Sequence, residues 1–200
     1  WKRANRAGAI AGMVGGFDLG AGVLGLLLVR HTTGSELLGA LAFTIGFIAL
    51  VLAKSELFTE NFMVPIAAVV ARSGTWQQVA RLWGGTAAMN LVGGWVIMWL
   101  IVSAAPELAA SDTLQVLGGH FTRIGLTWET FSSAILAGAI MTLMTWMERL
   151  NKAIIGKLAA AVAAGFLLAG TPLLHSIVTS LEMFGALQAG AEFGYLHWAG

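Results

Sequence analysis

The side chains that could do chemistry in this 200-residue chain are few, and they stand where its apolar runs are interrupted. His175 follows Ala169-Gly170-Thr171-Pro172, a sequence that ends a helix because Pro172 has no N–H to continue one and Gly170 and Thr171 favour a local stop. A second interruption, Lys54-Ser55-Glu56-Leu57-Phe58-Thr59-Glu60-Asn61, places charges and hydroxyls inside another apolar run. Imidazole ionises near pH ~6.5, so His175 could exchange a proton around neutrality. A lone histidine at a break could equally cap it by bonding a free carbonyl. Lys54 could attract anions, or Glu56, Glu60 or Asp18 could neutralise it, since charges at membrane depth need partners. Arg123 reads either as a vestibule charge or as an interfacial anchor. His and carboxylates form no metal-binding spacing, and no Ser-His-Asp arrangement stands out, so catalytic, metal and cofactor sites are all read as none.

Composition decides what must position these residues. Hydrophobic residues make up 58% of the chain and charged residues 10%, with a mean hydropathy of +0.81, which excludes an ordinary soluble domain. Crossing ~30 Å of hydrocarbon takes ~20 apolar residues. The runs give span 1 over Ala7 to Val29, a broken span 2 over Leu37 to Ala71 and span 3 over Leu82 to Val102. Span 4 follows over Phe131 to Met147, and a broken span 5 over Ile154 to Leu187. Between spans 3 and 4, the segment Ser103 to Glu129 suits either a short amphipathic helix on the outer surface or a plain loop. With the N-terminus inside, Lys2, Arg3, Arg6, Arg72, Arg81, Arg149, Lys152 and Lys157 are inside and only Arg30 and Arg123 outside, as the positive-inside rule requires. A multi-pass protein of a prokaryotic inner or plasma membrane is expected, with the N-terminus cytoplasmic. The opening on Trp1 and the aromatic tail Tyr195, His197 and Trp198 suggest a piece of a longer chain that stops before a sixth helix.

The two interruptions fall in the second and fifth spans, each the middle member of a three-span half. Three spans per half reverse the orientation of the second half, giving inverted repeats over about 1–105 and 120–200 within one transmembrane domain, 1–200. Half-helices starting near Phe62 and Ser176 would then aim their N-termini, each equivalent to ~0.5 positive charge, at the midplane, where a small anion would be favoured. Gly12, Gly15, Gly16 and Gly20 in span 1, with Gly84, Gly85, Gly93 and Gly94 in span 3, are read as sites of close helix contact.

At these residues the chain resembles the formate/nitrite transporter family. Ser55 to Asn61 is similar to that family's loop in its second helix, and Asn90-Leu91-Val92-Gly93-Gly94 to the asparagine-glycine motif of its third. Leu136-Ala137-Gly138, with Met141 and Trp146-Met147, is similar to its fourth helix, and His175-Ser176-Ile177 falls where its fifth-helix loop carries a central histidine. The resemblance implies an all-α, aquaporin-like membrane fold with helices 2 and 5 broken, a homopentamer in the lipid bilayer with one pore per protomer, and passage of small monovalent anions and protons. It places Thr59, Asn90 and His175 in the substrate pathway, with Phe58 beside them. Leu57 with Phe43 or Phe47 matches the apolar constriction on one side, and Leu168 with Met141 the opposite one. Gly138 stands where an asparagine is common, Leu168 where an aromatic is common and Lys54 where small residues are usual, which marks a divergent member.

The expected activity is therefore a channel or transporter for formate, nitrite or related weak-acid anions, protonated through His175, and not an enzyme. A neutral-solute channel and a non-conducting membrane scaffold or sensor are the alternatives. No nucleic-acid partner is expected.

Overall fold

The computed structural model describes residues 6–60, 62–109, 112–123, 125, 127–171 and 173–199; Lys2, Arg3, Asn61 and Pro172, singled out above, lie outside them. Every regular element among the described residues is helical. In order these are α1 (Arg6–Thr33), α2 (Glu36–Ala53), a short 3-10 turn (Phe58–Glu60), α3 (Met63–Val70), α4 (Trp76–Ala104), α5 (Pro106–Ala109) and α6 (Asp112–Phe121). Then come α7 (Trp128–Leu150), α8 (Ile154–Gly170), α9 (Ser176–Gln188) and α10 (Tyr195–Ala199). Helix starts follow their chemistry. Ser35 Oγ accepts from Leu38 N, Thr127 Oγ1 accepts from Thr130 N, and Thr75 and Gln78 form a reciprocal capping box, so first-turn N–H groups are satisfied. Gly34, at φ +69, makes the tight reversal between α1 and α2 that a side chain would strain.

Spans 2 and 5 are interrupted where the sequence indicates, and the second half-helices begin at Met63 and Ser176. Helices α1, α2, α4 and α7 are long and apolar enough to cross a membrane by length and composition. Leu41, Ile45 and Leu52 of α2, with Trp95 and Trp99 of α4, are exposed on the bundle's outside, a surface that suits lipid rather than water. This is a multi-pass membrane protein.

Helix α1 is the spine, packed along both α2 and α4. Small residues allow this: a Cβ on Gly16 would meet the Asn90 carbonyl, and one on Gly93 the Met13 carbonyl. Gly84 and Gly85 depart from expectation. A Cβ on either would meet nothing within 4 Å, so these two glycines are not helix-contact sites within the protomer. The segment between spans 3 and 4 does contain a helix, α6, but Leu114 is fully buried and Gly118 lies against Ala186 of α9. Its apolar face therefore docks on protein. Amphipathicity alone does not distinguish a lipid interface from a neighbouring helix.

Candidate functional site

The first interruption begins at Lys54, whose backbone adopts a left-handed conformation (φ 53) and whose N–H closes α2 onto the Leu50 carbonyl. A lysine there is held by its surroundings, because a Cβ disfavours that region. The following residues are pinned from outside. Glu56 N donates to the Ala11 carbonyl (3.1 Å), and Ser55 Oγ donates to Asp18 Oδ2 (2.5 Å). Ser55 is thus the hydrogen-bond partner of Asp18, a role the sequence allowed Lys54. Asn90, fully buried on α4, uses three of its bonding positions. Its Nδ2 donates to the carbonyls of Gly12 (2.6 Å) and Glu56 (2.8 Å), and its Oδ1 accepts from Phe58 N (2.8 Å). One amide side chain ties the break to α1 and α4 together.

The second interruption is held differently. Leu174 N donates to Ser133 Oγ of α7 (3.0 Å). His175 is the N-cap of α9, and its own ring Nδ1 accepts from Val178 N (3.3 Å). The ring does cap the break, but through a backbone N–H rather than a carbonyl. An accepting Nδ1 carries no proton, so the neutral ring holds its proton on Nε2. That Nε2 lies 2.9 Å from Thr59 Oγ1 and donates to it. The two interruptions meet at this bond, and His175 is only 4% exposed.

The apolar candidates are buried together. Phe43, Phe47, Leu57, Met141 and Leu168 are all buried in one cluster, the two phenylalanine rings 5.9 Å apart. Phe58 is partly buried, its ring edge-on to Phe62 (5.1 Å), which in turn contacts Trp83 of α4 (4.9 Å); it anchors the loop to α4. Gly138 is exposed on α7, and a Cβ there would meet nothing within 4 Å. Arg123 is exposed beyond the end of α6, and Lys54 is exposed at the end of α2. The half-helix ends differ from a simple pair of open anion sites: Val178 N is occupied by the His175 ring, whereas α3 has no side-chain cap at its start.

Two features escaped the sequence reading. Ser133 was one hydroxyl among several in span 4, with nothing local to mark it as a partner of Leu174. The other is a cavity of about 390 Å³ at the α7–α8 junction, lined by Lys54, Glu60, Glu148, Arg149 and Lys157 among others. The sequence reading takes Arg149 and Lys157 only as inside charges and does not include Glu148.

The profile of the family described as Formate/nitrite transporter matches residues 1–200. The chain belongs to the formate/nitrite transporter family. It is 28% identical over 197 residues to the inner membrane protein YfdC of Escherichia coli strain K12, covering 92% of this chain and 59% of that protein. It is 32% identical over 126 residues to the formate channel FocA of Haemophilus influenzae, covering 62% of this chain and 44% of that protein. The chain thus spans about half the length of the curated relatives it matches. Among solved structures, a pentameric formate channel with formate bound matches with a TM-score of 0.80 at 19% identity, covering 96% of this chain and 78% of that one. An FNT family ion channel matches with a TM-score of 0.84 at 20% identity, over 92% and 75%. The all-helical fold with two broken helices is the fold of these channels.

Proposed function

We propose that the protein, as a homopentamer in a prokaryotic inner membrane with its N-terminus cytoplasmic, conducts small monovalent weak-acid anions such as formate or nitrite, with protonation linked to His175. The observation that carries this reading is the 2.9 Å contact of Thr59 with His175, which joins two helix breaks inside an apolar cluster. An anion entering such a place loses its water, at a cost of several kcal/mol unless its charge is compensated or removed. Adding a proton to a weak-acid anion removes the charge, and the neutral acid passes the apolar flanks of Phe43, Phe47, Leu57, Leu168 and Met141. Thr59 accepts from the imidazole and keeps its own O–H proton to donate to the anion. The imidazole can accept a second proton only by releasing Val178 N–H, so proton uptake by His175 uncaps α9. Charge state and helix start are thereby coupled.

The test is flux into proteoliposomes containing the full-length protein. Formate or nitrite should move with accompanying proton equivalents, while an uncharged solute of similar size should show no comparable protein-dependent swelling. Solute swelling without anion flux would favour a neutral-solute channel, and no flux of either kind would favour a scaffold or sensor.

A further inference from the structure

The cavity at the α7–α8 junction lies against the first break and is lined by Leu50, Val51, Lys54, Ser55, Glu56, Glu60, Thr145, Glu148, Arg149, Ile154 and Lys157. Two of its carboxylates stand out: Glu60 Oε1 and Glu148 Oε1 are both buried, and neither has a hydrogen-bond partner among the described residues. Glu148 and Arg149 both act electrostatically on Glu60, and Lys157 and Arg149 on Glu148. The other charges facing the pair are Lys54 and Glu56 from the break and, behind Ser55, Asp18 from α1. A buried carboxylate oxygen without a donor is expensive, and two such oxygens in one cavity are relieved together by a proton that neutralises one group and bonds to the other. Arg149 and Lys157 make the same place unfavourable for a metal cation.

We propose that Glu60 and Glu148 form a proton-holding carboxylate pair at this mouth of the pathway, and that the pair feeds protons to the Thr59–His175 contact at which the weak-acid anion is protonated. The transport part of this rests on the function proposed above. The step balances as a relay: the pair's carboxyl O–H breaks, its proton passes to the Thr59–His175 contact and on to the anion's oxygen to give the neutral acid, and a hydronium ion from the aqueous phase restores the pair's proton and leaves as water. Glu60 follows Thr59 directly in the 3-10 turn, so the donor adjoins the hydroxyl of that contact.

Infrared spectroscopy of the full-length protein in bilayers tests the pair without any transport. The wild type should show a protonated-carboxyl C=O band that disappears as the pH is raised. Glu60→Gln and Glu148→Gln should each remove that band, and the double variant should remove no more. Absence of a titrating band, or two bands lost additively, overturns the pair. In flux assays, each variant should lower the acid-side uptake of formate about a hundredfold, the lower end of the scale of one general acid. If Glu60→Gln fails to assemble, Glu148→Gln decides, and unchanged acid-side uptake in a folded Glu148→Gln overturns the donor role. Loss of the band in variants of a wild type that carries no flux would retain the pair and reject the transport reading.

Discussion

The two helix breaks solve one physical problem in opposite ways. Backbone that leaves a helix at membrane depth must find partners within the protein. The break at Lys54 to Glu60 borrows them from other helices, through Asn90, Asp18 and the Ala11 carbonyl. The break at Thr171 to His175 borrows one from Ser133 and makes another with its own imidazole. The contrast teaches that Thr59 is held by a rigid frame, while His175 is held by a bond that its own protonation would break. One side of the contact is a fixed hydroxyl and the other a switchable ring.

Substitutions can break that contrast, and the largest effect is expected at Asn90. Asn90→Ala strips three bonds from buried backbone groups, which should destabilise the protein by about 3–5 kcal/mol and abolish flux. A thermal melt of the detergent-solubilised protein within about 2 °C of wild type would show that the frame does not depend on this side chain. Gly16→Ala should come next, because the added methyl meets the Asn90 carbonyl and the Gly94 backbone. About 1–3 kcal/mol of destabilisation is expected, against less than about 0.5 kcal/mol for Gly84→Ala in open space, both read from chemical denaturation.

The self-capped break should give smaller changes that separate two functions. Asparagine is a good N-cap but does not titrate, so His175→Asn should keep the α9 start, whereas His175→Ala should lose about 1 kcal/mol. Amide exchange at Val178 reports the difference: faster exchange in the alanine variant only is expected, and equal exchange in both would remove the capping role. The smallest effect belongs to Ser133→Ala, which leaves Leu174 N without its side-chain acceptor and should cost about 1 kcal/mol. Exchange at Leu174 should rise while flux is largely retained.

The sequence made the breaks legible because each carries its own local chemistry: charges and hydroxyls at Lys54 to Glu60, and glycine, threonine and histidine around Gly170 to His175. The half-helix start at Ser176 followed from the second break, and the placing of Thr59 and His175 in one pathway came from the family resemblance. What stayed hidden depends on direction rather than residue type. A glycine reads the same whether it faces a helix, as Gly16 does, or open space, as Gly84 and Gly138 do. The resemblance put Gly138 in the place of a pathway asparagine, and nothing in its own neighbourhood says which way that side of α7 points. Docking of α6 on α9 was likewise invisible, since Leu114 would be apolar against lipid or protein alike. The cavity carboxylates Glu60 and Glu148 are 88 residues apart, and only the packing of the break against α7 brings them to one cavity.

The most direct test of the contact between a fixed hydroxyl and a switchable ring is the pH profile of formate uptake in proteoliposomes, with wild type and His175→Asn compared as assembled full-length proteins. The account predicts that wild-type uptake changes steeply with pH and that the asparagine variant, still folded and capped, loses that dependence. Superimposable profiles would contradict it.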